Sequence, residues 1–282
     1  MSSVRSARLN WQRVDTVARS DIKQLLVSKD FWVPMALLGS FFFFVIPLVL
    51  LLTITKLGSV DAIQKVSQTL DVLPAKAQAQ IKGTSDSGRT SYALAVFLLA
   101  PMAIIVPITI STAVGAATIV GERERGTGEF LAHSPAGIRE IYLGKLIASF
   151  VPGYLTTLVG FAVYSLLVNI VVGPEVGGWF FPTRQWLLMV LWVVPPFLAI
   201  ALSLVLRLSA RLRSTAAAQQ ASGLVTLPLI GIAYSQSTGA LFGAASLGFA
   251  LGAVAWVGAF VLLRSGMRNV RRARLLGVAD EA

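Results

Sequence analysis

Five stretches of this chain carry no Asp, Glu, Lys, Arg or His: Phe31 to Thr55, Thr90 to Gly121, Leu146 to Pro174, Gln185 to Leu206 and Ser214 to Leu263. A bilayer's hydrocarbon core, about 30 Å thick, is crossed by about 20 apolar residues in a helix, and each of the five is long enough. Backbone groups in lipid must be satisfied within the structure, so a span is either a helix or a strand of a closed barrel. These runs are continuously apolar, without the two-residue alternation of barrel strands, and they predict helices. The last, about fifty residues long, is too long for one crossing and is interrupted by Ser235-Gln236-Ser237-Thr238-Gly239, which reads as the turn of a hairpin. The expectation is an all-α integral membrane protein with six transmembrane helices, at about 31–55, 92–119, 146–172, 185–206, 215–235 and 240–263.

The charges between the runs orient the chain. Of its 24 Lys and Arg, 18 fall on one side: the N-terminal segment, the segment 120–145, Arg207 to Arg213 and the tail 264–282. The other six lie in the loop 56–91 and at Arg184. The positive-inside rule places both termini in the cytoplasm of a multi-pass cell-membrane protein. Five spans would put the Arg-rich tail outside, a second argument for the hairpin. A net charge of +11 dispersed between apolar runs suits anionic lipid head groups; nucleic-acid binding would need a soluble core with a basic recognition face. With no Cys and His133 as the sole His, neither a disulfide framework nor a thiolate or His-rich metal site is expected. The first apolar run follows a long basic segment without a small-residue cleavage site, so it is expected to stay as a span.

Ahead of that run, Val14, Val17, Ile22, Leu25, Leu26 and Phe31 recur mostly at three- and four-residue spacing among charges. Residues 1–30 are therefore expected to form an amphipathic helix on the cytoplasmic interface. The outer loop repeats the pattern with Val60, Ile63, Val66, Leu70 and Leu73, then passes through Pro74 to the polar run Gly83 to Gly88, read as a flexible tether. Prolines sit in several runs, at Pro34, Pro47, Pro101, Pro107, Pro152, Pro195, Pro196 and Pro228; each removes a backbone hydrogen bond and favours a kink. Gly239 with Gly243 and Gly248 with Gly252 form small-xxx-small pairs that permit close helix packing.

The runs lack the chemistry of a self-powered carrier or an enzyme. Ion-coupled carriers place ionisable or coordinating groups at membrane depth, and the runs offer only hydroxyls such as Thr109, Ser111, Thr112, Thr156 and Thr157. Those also serve to satisfy neighbouring backbone carbonyls. There is no His-Glu-x-x-His and no Ser paired with His or Lys within a run. The segment Gly137 to Leu146 has six residues between its glycines and Leu where a P-loop needs Ser or Thr, so the chain is expected to bind no nucleotide itself.

One cytoplasmic segment, 120–145, mixes dense charge of both signs with an apolar minority. Glu122, Arg123, Glu124 and Arg125 extend the second helix into water, and Gly126, Thr127 and Gly128 allow a turn. Glu129, Phe130 and Leu131 form a short helix with an exposed aromatic; Ser134 is placed to cap the next helix, with Pro135 at its first position. A Phe-Leu pair ringed by charges fits a plug for a groove on another protein. It equally fits a solvated connector touching head groups.

The run Glu122-Arg-Glu-Arg-Gly-Thr-Gly-Glu-Phe-Leu-Ala-His-Ser-Pro135, followed by Arg139-Glu-Ile-Tyr-Leu-Gly-Lys145, resembles the signature of ABC type-2 transporter permeases. That signature has an acidic-basic pair, Gly-Thr, Glu, two apolar residues, Ser-Pro, then a basic residue and Leu-Gly-Lys; Gly128 departs from it, where the family often has Leu. The resemblance implies that 31–282 is a six-helix permease domain with a cytoplasmic coupling helix between spans two and three. Glu122 to Arg125 would belong to a gate and charge network, and Thr127 to Ser134 would dock on an ATPase subunit, with Arg139 and Glu140 in the following segment. Partners would be two copies of an ABC ATPase, holding ATP and Mg, and a second permease, identical or paralogous, in the lipid bilayer. The chain would bind no cofactor and catalyse nothing alone. A path without ionisable residues favours a hydrophobic or amphipathic substrate, such as a drug or lipid. Phe41 to Phe44, Trp179, Phe180, Phe181, Trp186 and Trp192 fit such a path, and they fit an interfacial aromatic belt as well. An envelope assembly factor driven by the same ABC coupling shares these features; an ion-coupled carrier would transport without nucleotide.

Overall fold

The computed structural model describes residues 9–56, 63–64, 68, 75–124, 134–209, 217, 220 and 245–269. Helix α1 (Trp11–Val27) leads into α2 (Lys29–Thr55). A short α3 (Asp86–Ala93) runs into α4 (Met102–Glu124), and α5 (Ile138–Val171), α6 (Arg184–Leu208) and α7 (Ala245–Asn269) follow. Among the described residues, five helices are long and apolar enough to cross a membrane: Lys29–Thr55, Asp86–Thr118, Ile138–Val171, Arg184–Leu208 and Ser246–Met267. The expected fifth crossing, 215–235, and the Gly239–Gly243 pair lie outside the described residues.

Two of the five are central and three peripheral. Asp86–Thr118 and Arg184–Leu208 are 78% and 72% buried over their most apolar windows, against 22–33% for the others. In lipid an exposed Leu costs nothing, so this contrast marks position in the bundle rather than quality of core. α4 packs on α5 and α6, α6 carries α7, and α2 lies against α5. Glycines permit close contacts between these helices. A methyl on Gly153 of α5 would overlap Ser111 Oγ of α4, one on Gly160 would overlap the ring of Phe43, and one on Gly252 of α7 would overlap Trp192 of α6.

Proline shapes three of the helices through π turns. Phe41–Val45, Leu94–Leu98 and Met189–Val193 are each a π turn, followed within a few residues by Pro47, Pro101 and Pro195. Proline lacks an N–H and crowds the carbonyl four residues back, and one wider i→i+5 turn relieves both. The N–H groups of Ile46, Leu99 and Val194 accordingly reach Phe41 O, Leu94 O and Met189 O. Widening releases carbonyls that lipid cannot satisfy, and side chains take them up. Tyr164 donates to Ala95 O at 2.6 Å, Trp186 Nε1 to Val96 O at 2.9 Å and Tyr154 to Val190 O at 3.3 Å. Tyr164 and Trp186 are fully buried and stack on each other at 5.3 Å, with Phe181 edge-on to both. Trp186 and Phe181 thus belong to the packed interior, while Trp179 is 73% exposed.

Two local expectations are corrected. The run Gly83 to Gly88 is half helix, because Ser85 Oγ accepts the Gly88 N–H at 3.0 Å and caps α3. The second amphipathic pattern of that loop lies outside the described residues except Ile63, which is helical. Ser134 and Pro135 do not open the next helix either. It starts at Ile138 with Gly137 as its cap, since the Glu140 carboxylate reaches back to the Gly137 N–H at 2.8 Å.

Candidate functional site

The described ends of the segment 120–145 converge on a joint between α1, α4 and α5. The α1 sequence places Val14, Ala18, Asp21 and Leu25 on one stripe, and this is the buried face, laid along α5. Leu26 and Ile22 point elsewhere, with Leu26 64% exposed, so the apolar spacing seen in the sequence mixes two faces. Close approach is allowed by Gly144 of α5, whose missing side chain leaves room for Val17.

Charge holds this contact at two levels. At the first, Glu140 accepts the Asn10 N–H at 2.9 Å with one carboxylate oxygen and the Gly137 N–H with the other. Arg13 stands 3.7 Å from that carboxylate and donates to Pro135 O at 2.6 Å. Glu140 therefore pins the start of α1, the start of α5 and the chain entering α5 together. Asn10 closes the arrangement by accepting the Gln12 N–H at 3.0 Å.

One and a half turns further along α5, Lys145 is 1% exposed. Its ammonium meets Asp21 of α1 at 3.4 Å and donates to Thr118 O of α4 at 2.8 Å. Ser149 Oγ donates to Lys145 O at 2.8 Å and lies 3.5 Å from Thr118 Oγ1. Burying a charge without a partner costs several kcal/mol, so Asp21 and Lys145 hold α1, α4 and α5 in contact. Sequence reasoning missed this pair, having placed Lys145 at the end of the segment 120–145 and left Asp21 among the charges of the amphipathic N-terminal segment. A signal was present in Asp21, an acid on the same helical face as Val14, Ala18 and Leu25.

A second polar cluster lies where α5, α6 and α7 meet. Tyr142 Oη, Ser203 Oγ and Arg207 Nε are buried against one another, Tyr142 abuts Gly266, and Arg207 donates to Leu262 O. Charge therefore does enter the helices, at Lys145 and Arg207, past the limits read from the apolar runs.

Of the expected coupling residues, Glu122, Arg123 and Glu124 continue α4. Arg125, Gly126, Thr127, Glu129, Phe130 and Leu131 lie outside the described residues. Pro135 and Arg139 are exposed, Ser134 is half-buried and Glu140 is buried. The intramembrane hydroxyls mostly satisfy their own helices, Thr109 Oγ1 donating to Ile105 O, Thr112 to Ile108 O, Thr156 to Pro152 O and Thr157 to Gly153 O. Ser111 Oγ has no hydrogen-bond partner among the described residues and faces the gap at Gly153. No group of three or more His, Cys, Asp or Glu stands ready to hold a metal among the described residues.

A sequence model of one family, described as ABC-2 family transporter protein, matches residues 16–258. No curated protein matches the chain.

Proposed function

The chain belongs to the ABC-2 transporter family, and we propose that it is the permease subunit of an ABC exporter that moves a hydrophobic or amphipathic substrate out of the cytoplasm. ATP and Mg would be bound and turned over by a separate ATPase, two copies of which serve two permeases, identical or paralogous. Both termini and the segment 120–145 would face the cytoplasm, with Thr127 to Ser134 docked on the ATPase.

The observation that carries this reading is the joint at the return of that segment into the membrane. Glu140, two residues into α5, is tied to Asn10 and Arg13 of the N-terminal segment, and Lys145 ties α5 to α1 and α4. A push on the segment between α4 and α5 is then delivered to three helices at once. A docked segment that binds the two nucleotide states of an ATPase unequally would shift the bundle between arrangements, and one that binds them equally would shift nothing. Glu122 to Glu124 at the end of α4, with Arg125 after them in the chain, would form the charged gate on the same side.

The test is co-purification of the chain with its ATPase, read as complex recovery and ATP hydrolysis, for the native protein and for Glu129→Arg with Phe130→Asp. Loss of both with the permease still monodisperse is the expected result. An intact complex hydrolysing ATP at the native rate would overturn the docking assignment. Substrate movement by the permease alone, without nucleotide, would favour an ion-coupled carrier.

A further inference from the structure

Between α2 and α5 lies an apolar groove of about 610 Å³, within the ~300–1,000 Å³ of ordinary ligand sites. Ile22 and Leu26 of α1 close one end, Met35 and Phe43 form one wall, and Val151 and Val159 form the other. Its hydroxyls are those of Ser40 and Thr156, and Thr156 already donates to Pro152 O. A ligand here meets apolar contact almost throughout. Along α5 the groove runs from Val151 to Val163, a rise of about 18 Å at 1.5 Å per residue. Half of a ~30 Å hydrocarbon core is about 15 Å, so the groove is one leaflet deep. Beyond Phe44 and Val163 a smaller hollow of about 310 Å³ continues to Ile170.

The mouth of the groove indicates the head group. Lys23 follows Ile22, and Lys29 stands just past Leu26 at the start of α2; both are exposed, and neither belongs to an ion pair among the described residues. Of the carboxylates in this stretch of chain, Asp21 is taken by Lys145 and Asp15 by Arg19, which leaves Asp30 against two lysines in the residues flanking Ile22 and Leu26.

We propose that this groove binds one anionic phospholipid from the leaflet that carries α1, with an acyl chain between α2 and α5 and its phosphate on Lys23 and Lys29. The lipid would brace α1 from the side opposite the Asp21–Lys145 pair. It would be a resident of the fold, separate from any transported substrate.

The full chain in nanodiscs of equal phosphatidylglycerol and phosphatidylcholine, released into a native mass spectrometer, reports which lipid it retains. The native chain should keep one phosphatidylglycerol in preference to phosphatidylcholine. Lys23→Gln with Lys29→Gln should weaken that preference about five-fold for each charge removed. Val159→Trp, at a residue 62% exposed and so free to grow without disturbing the fold, should displace the lipid altogether. Val257→Trp, on α7, away from the groove lining and 65% exposed, should change nothing. Equal phosphatidylglycerol retention by the native chain and both groove variants would overturn the proposal. So would disulfide capture of a second copy through Val159→Cys in a chain that has no other cysteine, since a protomer would then fill the groove.

Discussion

The two ends of α5 are fastened by different means. At its first turns Glu140 and Lys145 hold α1 and α4 with charge; from Tyr154 onward the helix holds its neighbours with neutral hydrogen bonds and ring stacking. There Tyr164 takes Ala95 O, and Asn169 accepts the N–H groups of Phe180 and Phe181 at 2.9 and 3.1 Å while donating to Phe181 O at 2.6 Å. Both ends satisfy buried polar groups, yet they respond differently to motion. A neutral donor on a freed carbonyl has one geometry, set by the π turn that freed the carbonyl. An ammonium has three donors on a flexible stem and can exchange carbonyl and carboxylate partners as helices shift. The charged end is therefore suited to a moving joint and the aromatic end to a fixed one.

The largest effect expected is at the charged end. Lys145→Met leaves Asp21 buried and unpaired, a loss of about 3–5 kcal/mol, read as a fall in thermal unfolding midpoint of the detergent-solubilised chain. Adding Asp21→Leu should recover most of it, because two matched apolar residues need no partner. If the double variant were as unstable as the single one, Lys145 would be stabilising through contacts other than Asp21, Thr118 O among them, and the pairing argument would fail.

Next comes the middle of the helix, where no polar group decides anything. Gly153→Val drives a side chain into Ser111 Oγ and Pro107 O and should destabilise by about 1–3 kcal/mol by overpacking. Ser111→Gly in the same chain should relieve part of this. A native-like unfolding midpoint for Gly153→Val would mean that α4 and α5 separate here at little cost.

At the aromatic end Tyr164→Phe removes one hydroxyl and keeps the ring. Ala95 O then loses its donor inside the bundle, at about 1 kcal/mol by the measured range for such interhelical bonds. The same substitution at Tyr154, whose bond to Val190 O is longer and half-exposed, should cost less. A larger loss at Tyr154 than at Tyr164 would break the link between π-turn carbonyls and their aromatic donors.

These outcomes bear on what could be read from the chain alone. The charge-free runs point to helices because lipid forbids unsatisfied backbone, and the five long described helices overlap those runs, α5 starting eight residues ahead of its run at Ile138. The π turns were only half legible: Pro47, Pro101 and Pro195 predict kinks, but whether a kink resolves by widening depends on donors such as Tyr164 and Trp186, brought from elsewhere by the fold. Glu140 was singled out with the segment 120–145, yet its ties to Asn10 and Arg13 join residues 130 and 127 positions apart, beyond any local pattern. Lys145 looked like the last charge before an apolar run. The partner that buries it lies 124 residues away.

The smallest effect completes the comparison by removing burial while keeping charge. Arg19 Nε meets Asp15 at 2.8 Å, closer than Lys145 meets Asp21, but both side chains of that pair are exposed, at 79% and 56%. Water screens the attraction, and holding two long side chains in one geometry costs entropy, so an exposed i,i+4 pair is worth about 0.3–0.5 kcal/mol. Arg19→Ala should therefore shift the unfolding midpoint by an amount near the limit of measurement, and raising the salt concentration should abolish even that. Lys145→Met should be insensitive to salt. If distance rather than burial governed these pairs, the order would invert, and the charged joint at α5 would be no stronger a device than an ordinary surface contact.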